Sequence, residues 1–295
     1  MAEIPRTATI MRTSVVLLIS CPDRKGLVAT VSDFIYRHGG NILHTDEHTD
    51  ADSAWFLMRV EFDPSGFDIP LTDLPQLFTP IAQKFDMEWR LAKPGERKKM
   101  VIMVSKYDHC LVDLLYRHKV GELSCDIPLI ISNHADTQPI ADFYQIPFVV
   151  IPVSKDNKRA AEQKQIALIR EHGSDFTVLA RYMQVLSSEF VAAFPHRIIN
   201  IHHSFLPAFV GARPYHQAFQ RGVKLIGATS HYVTEVLDDG PIIEQDVVRI
   251  SHRDSVEDLI QKGRDLEKVV LSRGVRWHID DRVLLYGSKK TVVFD

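Results

Sequence analysis

The chain has 295 residues, 45% hydrophobic and 25% charged, with a net charge of -3 at pH 7. At roughly 150 residues per domain this length predicts about two domains, and the composition excludes a disordered chain. The charge balance excludes a global nucleic-acid-binding surface, and no apolar run reaches the about 20 residues that a bilayer span needs.

Ser14–Ser20 is apolar, lacks the cleavage site of a secretory leader and reads as a strand. Cys21, Cys110 and Cys125 form neither a CxxC pair nor a disulfide framework, which predicts a soluble, cytoplasmic protein. Cys21-Pro22-Asp23-Arg24-Lys25-Gly26 is turn chemistry. Leu27, Val28, Val31, Phe34 and Ile35 then share one helical face, which Gly39-Gly40 ends. Over 53–62, Ala54, Phe56, Met58, Val60 and Phe62 alternate onto one face of a strand. A helix is predicted over Leu71–Phe85, interrupted by Pro75 and Pro80, with a closing strand over Met87–Leu91. This order fits a small ferredoxin-like α+β unit over 1–92. The polar stretch 93–99, with Pro94-Gly95 in it, reads as a linker.

From residue 100 the rhythm changes. Val101–Val104, Pro128–Ser132, Phe148–Val153, Phe176–Ala180 and Ile198–Ile201 are short apolar runs. Helical stretches separate them, near Cys110–His118 and over Arg159–Glu171. That pattern predicts a doubly wound, mostly parallel α/β domain over 100–295, with ligands beyond the carboxyl ends of its strands. Ser255 and Asp258 form a capping box that opens a long final helix.

Polar residues concentrate between Asn200 and Gln245. Asn200 and His202 are two apart at the end of an apolar run, so on a strand they leave one face. An amide and an imidazole so placed can address one oxygen, as an oxyanion site does. An isolated N-x-H is more often a loop cap beside a satisfied histidine. His202, His203, His216 and His231 lack the spacing of a metal site, and the adjacent His202 and His203 point to opposite faces of a strand. Asp238-Asp239-Gly240-Pro241 makes a turn on its own account, or places a carboxylate that orients His202 and holds a water.

Together these residues resemble the folate-dependent formyltransferase family. The matching text is Asn200-Ile201-His202-His203-Ser204-Phe205-Leu206-Pro207, Gly211-Ala212, and His231 through Asp238-Asp239-Gly240-Pro241 to Ile243. The segment from Leu179 to Phe190 is similar to the family's folate-pocket segment. The resemblance implies a catalytic triad of Asn200, His202 and Asp238. It implies folate contacts from Arg181, Tyr182, Met183, Gln184, Val185 and Leu186 and from Glu235, Val236, Leu237 and Gly240. Gln184 stands where the glycinamide enzyme has arginine; Arg181 is then either the contact for the folate's glutamate tail or a solvated surface charge.

Leu18 to Val28 and His38-Gly39-Gly40-Asn41-Ile42 resemble an ACT-type regulatory domain. An ACT-type domain followed by a formyltransferase-like (Rossmann-like) domain is similar to the formyltetrahydrofolate deformylase family over essentially the whole chain. The resemblance implies hydrolysis of 10-formyltetrahydrofolate to formate and tetrahydrofolate, balancing one-carbon pools and supplying formate for purine synthesis. Folate is then the substrate, water the acceptor, and no metal or other cofactor is required. It also implies a homo-oligomer and an amino-acid effector, with Asp23, Gly26 and Asn41 as positions to test. The loop Val104-Ser105-Lys106-Tyr107-Asp108-His109-Cys110 lacks the glycines of a phosphate cradle, so Lys106–Cys110 and His203 are expected to set the choice of water. A transferase with a small amine acceptor, and an amino-acid sensor with an inactive enzyme half, are the rival readings.

Overall fold

The computed structural model describes residues 13–208 and 213–294; the Gly211-Ala212 motif lies outside them. The chain forms two compact units. In the first, the order is β1 (Val15–Pro22), α1 (Leu27–Arg37), β2 (Asn41–Asp50), β3 (Trp55–Asp63), α2 (Leu74–Lys84) and β4 (Glu88–Ala92). The sheet order is β2-β3-β1-β4, with β1 antiparallel to both its neighbours. Val15, Leu17 and Ile19 alternate onto the face that packs on Val31 and Phe34 of α1 and Phe78 of α2. The second helix starts at Leu74 rather than at Leu71, because Pro75 is tolerated in a first turn, where its missing N–H has no helical partner. Strand β2 carries no hydrophobic alternation and is largely exposed. It is held by backbone pairing to β3 along its length.

The second unit contains β5 (Lys98–Val104), α3 (His109–Lys119), β6 (Cys125–Ser132), α4 (Gln138–Phe143), β7 (Phe148–Val150), α5 (Lys158–Glu171) and β8 (Phe176–Ala180). It continues through α6 (Ser188–Ala193), β9 (Ile198–His202), α7 (Pro214–Arg221), β10 (Leu225–Tyr232), β11 (Ile242–Arg249) and α8 (Val256–Ile279). The sheet order is β11-β10-β9-β8-β5-β6-β7. The strands from β7 across to β9 run parallel, while β10 is antiparallel to β9 and β11. Met100–Val104 at the centre is wholly buried, as a strand covered on both faces requires. The chain winds outward from β5 through β6 to β7, then returns to β8 and β9 on the other side. That reversal opens a crevice at the carboxyl ends of β5 and β8. The capping box at α8 forms: the Asp258 amide donates to Ser255 Oγ at 3.2 Å and the Ser255 amide to Asp258 Oδ2 at 2.8 Å.

The sequence places residues 280–295 in the catalytic domain, but Asp280–Gly287 and the residues from Thr291 belong to the first unit. This segment carries β12 (Val283–Tyr286) and β13 (Lys290–Val293), a two-stranded sheet. The cause is the second face of the first unit's sheet. Val16 and Leu18 point there and pack against Leu284. Arg59 is buried beside them and donates from Nε to the Asp281 carbonyl at 3.1 Å, and Arg90 pairs with the Asp281 carboxylate.

Candidate active site

The crevice of the second unit holds a cavity of about 560 Å³. Asn200 and His202 enter it from the last turns of β9, on one face as the two-residue spacing predicts. Asp238 reaches it from the turn after β10, with its backbone in the left-handed region at φ 56, which aspartate tolerates better than most residues. The three side chains thus come together from two strand ends.

His202 is 5% exposed and its Nδ1 lies 3.3 Å from Asp238 Oδ2. Its Nε2 is buried and has no hydrogen-bond partner. Burial pushes the Asp238 carboxyl up, but the hydrogen bond and charge of His202 outweigh this and hold it below the usual carboxylate range. Asn200 is paired in register with His231 on β10 and donates from Nδ2 to His231 Nε2 at 3.2 Å. His231 Nδ1 donates to the Tyr232 carbonyl at 3.0 Å, and burial lowers the ring's pKa, which fits a neutral ring accepting at Nε2. His231 therefore orients the Asn200 amide, a role that the sequence did not single out; strand register was the missing signal.

Residues 181–186 and 235–237 line the cavity beside the triad. Gly240 does not. A Cβ there would lie 1.7 Å from the Tyr232 carbonyl oxygen, so this glycine serves the close approach of the turn to β10. Ser105, at the end of β5, donates to Asn133 Oδ1 at 2.7 Å and accepts from the Met183 amide at 3.0 Å. Tyr182 turns into the core, where its hydroxyl accepts from Gln165 Nε2 at 2.9 Å.

Two expectations change at the other wall. His203 lies just past the end of β9, so strand alternation no longer applies; its ring stacks on His202 with centroids 5.2 Å apart. Arg181 is not a solvated charge: its side chain is 10% exposed, with Nε 3.4 Å from Glu267 Oε2 and Nη1 donating to His203 Nδ1. Burial, and then the Arg181 charge, push the His203 imidazole down to about 3, so it is neutral. Glu267 also accepts from Tyr215 OH at 2.5 Å and pairs with His109 Nε2 at 2.8 Å. Burial raises its carboxyl, but these partners hold it below its usual range.

Among the described residues His109, Cys110 and Glu267 bring potential metal-ligand atoms within 4.8 Å of one another. Both Glu267 oxygens are already occupied, a guanidinium stands beside them, and burial keeps the Cys110 thiol protonated. This donor set does not fit a cation. Asp23 and Gly26 lie in the turn before α1, Gly26 at φ 90, and Asn41 is the exposed first residue of β2.

The Formyl transferase family matches residues 98–275, and the ACT domain family matches residues 15–71. A formyltetrahydrofolate deformylase of Synechocystis sp. is 52% identical over 94% of this chain and 97% of that protein. The crystal structure of a formyltetrahydrofolate deformylase from Pseudomonas syringae pv. tomato is similar with a TM-score of 0.93 and 50% identity, covering 96% of this chain and 94% of that one. Glycinamide ribonucleotide transformylase 1 from Symbiobacterium toebii is similar over 68% of this chain and 95% of its own, at 27% identity and a TM-score of 0.64.

Proposed function

Since the chain belongs to the formyltetrahydrofolate deformylase family, we propose that Asn200, His202 and Asp238 carry out its reaction, the hydrolysis of 10-formyltetrahydrofolate to formate and tetrahydrofolate. The observation that carries this assignment is the buried His202 ring, paired through Nδ1 with Asp238 and unpartnered at Nε2, in the cavity that Asn200 also lines. A buried ring nitrogen without a partner costs free energy; as an imidazolium, His202 donates from Nδ1 to Asp238 and from Nε2 to an oxyanion that the Asn200 amide also binds, and this repays that cost in the transition state.

Water attacks the formyl carbon, forming a C–O bond and a tetrahedral oxyanion. Asn200 and His202 donate to that oxygen. Asp238 holds the His202 ring and takes the water's proton or orients the water that loses it. Breakage of the carbon–nitrogen bond, with a proton delivered to the departing nitrogen, releases formate and tetrahydrofolate. The pterin lies against 181–186 and 235–237, where Met183, Val185, Val236 and Leu237 are exposed. Folate is substrate, and these steps use only side chains of the protein.

The deciding experiment is formate release by purified protein from 10-formyltetrahydrofolate with no amine and no metal added. Stoichiometric formate and tetrahydrofolate are expected; turnover only after an amine is supplied would make the chain a transferase. In the first unit, Asp23, Gly26 and Asn41 are our proposed positions for an amino-acid effector, and space is open beyond Gly26, where an added Cβ would meet nothing within 4 Å. We also place a homo-oligomer at this unit and the protein in the cytoplasm, a reducing compartment that suits its three free cysteines. No helix among the described residues is long and apolar enough to cross a membrane.

A further inference from the structure

One fold accommodates both deformylases and a glycinamide ribonucleotide transformylase, so something in the site must decide between water and an amine. We propose that the buried network of Glu267, Arg181, His203 and Tyr215 is that determinant: it closes the side of the triad from which an amine acceptor would approach and leaves room for water. The proposal rests on the hydrolytic reading above.

The network is packed directly against the chemistry. His203 lies on the His202 ring, with an interplanar angle of 19°, and the Tyr215 ring lies 5.9 Å beyond it. Arg181 binds His203 on one side and Glu267 on the other, beneath the Tyr107 ring at 5.3 Å. Glu267 is 1% exposed, and its two oxygens are engaged by Tyr215, His109 and Arg181. An amine carrying any substituent would have to displace a charged group from partners it cannot regain in water-free surroundings, whereas a water molecule displaces nothing.

A second observation shows that this wall is a built feature. Gly263 lies on α8 one turn before Glu267, and a Cβ there would lie 2.1 Å from the Tyr215 hydroxyl. Glycine is unfavourable within a helix, yet here it makes the space in which Tyr215 reaches the carboxylate. The loop after β5, which lacks phosphate-cradling glycines, contributes Tyr107 and the first helical residue His109 to the same wall.

The test is a product partition. The full chain is given 10-formyltetrahydrofolate with increasing glycinamide, a small primary amine, and formate and N-formylglycinamide are both quantified. In transfer the amine nitrogen bonds to the formyl carbon as the folate carbon–nitrogen bond breaks, so every turnover yields one product or the other. The unaltered chain is expected to give formate alone. The double variant His203→Ala/Tyr215→Ala is expected to raise the amide-to-formate ratio at least about 10-fold above the detection limit that bounds the unaltered chain, the low end of what one pocket contact is worth. Thermal melting checks that it folds; Tyr107→Gly, at a half-exposed loop position, gives the same readout if it does not. A folded, opened chain that still gives formate alone overturns the proposal, as does an unaltered chain that formylates glycinamide equally well. No formate from the unaltered chain under any condition overturns the hydrolytic reading itself. General loss of structure lowers both products together and does not change their ratio.

Discussion

The two sides of the cavity are built on opposite principles. The triad side is buried and fully specified: strand ends deliver Asn200 and His202, register fixes His231, and Asp238 is locked to His202 at 3.3 Å. The proposed folate side is loop, with Met183 half exposed and Val236 more than half exposed, both offering apolar surface to solvent. Rigid strand ends suit groups that must sit within fractions of an ångström of a reacting atom. Exposed apolar loops suit a large flat ring, whose burial is favourable without fine geometry. Losses on the first side should therefore fall on kcat, and losses on the second on KM.

Asp238→Asn is the strongest test of that division. Asparagine keeps the left-handed backbone and the size but not the charge, so kcat should fall by about 10²–10⁴-fold in a protein with an unchanged melting profile. A near-normal kcat would remove the His202–Asp238 pair from the mechanism. Asn200→Ala should lower kcat by about 10²–10³-fold, or about 2.7–4 kcal/mol, with KM little changed; steady-state kinetics decides this. On the other side Val236→Ala should raise KM by about 10-fold and leave kcat intact, because it removes binding common to ground and transition states. A fall in kcat instead would mean that the loops align the reacting carbon.

The smallest effect under working conditions is on stability against acid. The folded carboxyls of Glu267 and Asp238 are lowered, so their contribution is complete above the ordinary values of 4.5 and 3.8 and is lost as pH falls through the lowered ones. Melting temperature should hold from neutral pH down to that range and drop below it. Glu267→Gln should flatten the drop, since glutamine does not titrate; an unaltered acid limb would show that the buried ion pair contributes nothing there.

Much of this was legible in the sequence. The apolar runs at 176–180 and 198–201 are strands β8 and β9, because continuous apolarity is what a strand buried on both faces requires. Ser255 and Asp258 gave the start of α8 from local chemistry alone. Strand β2 was hidden, because an exposed edge strand is held by backbone hydrogen bonds and its side chains need carry no pattern. Glu267 was hidden for a different reason. An acidic residue within an amphipathic helix reads as a solvated charge, and its partner Arg181 is 86 positions away. The available clue was Gly263, a helix-weakening residue one turn earlier whose purpose appears only when Tyr215 is in place.

The tail that returns to the first sheet has a consequence for how the chain can be divided. The first unit is discontinuous, so the second is an insertion into it, entered near residue 97 and left near 279, with Ser288–Lys290 also grouped with the second. No single cut separates the two. A fragment ending at residue 92 would lose Asp281 and Leu284, the partners of Arg59, Val16 and Leu18; it would expose an apolar strip and leave Arg59 its ion pair with Glu61 but not its backbone acceptor. Isolating the first unit therefore calls for rejoining 96 to 280, a genetic deletion of the middle instead of a truncation of the end.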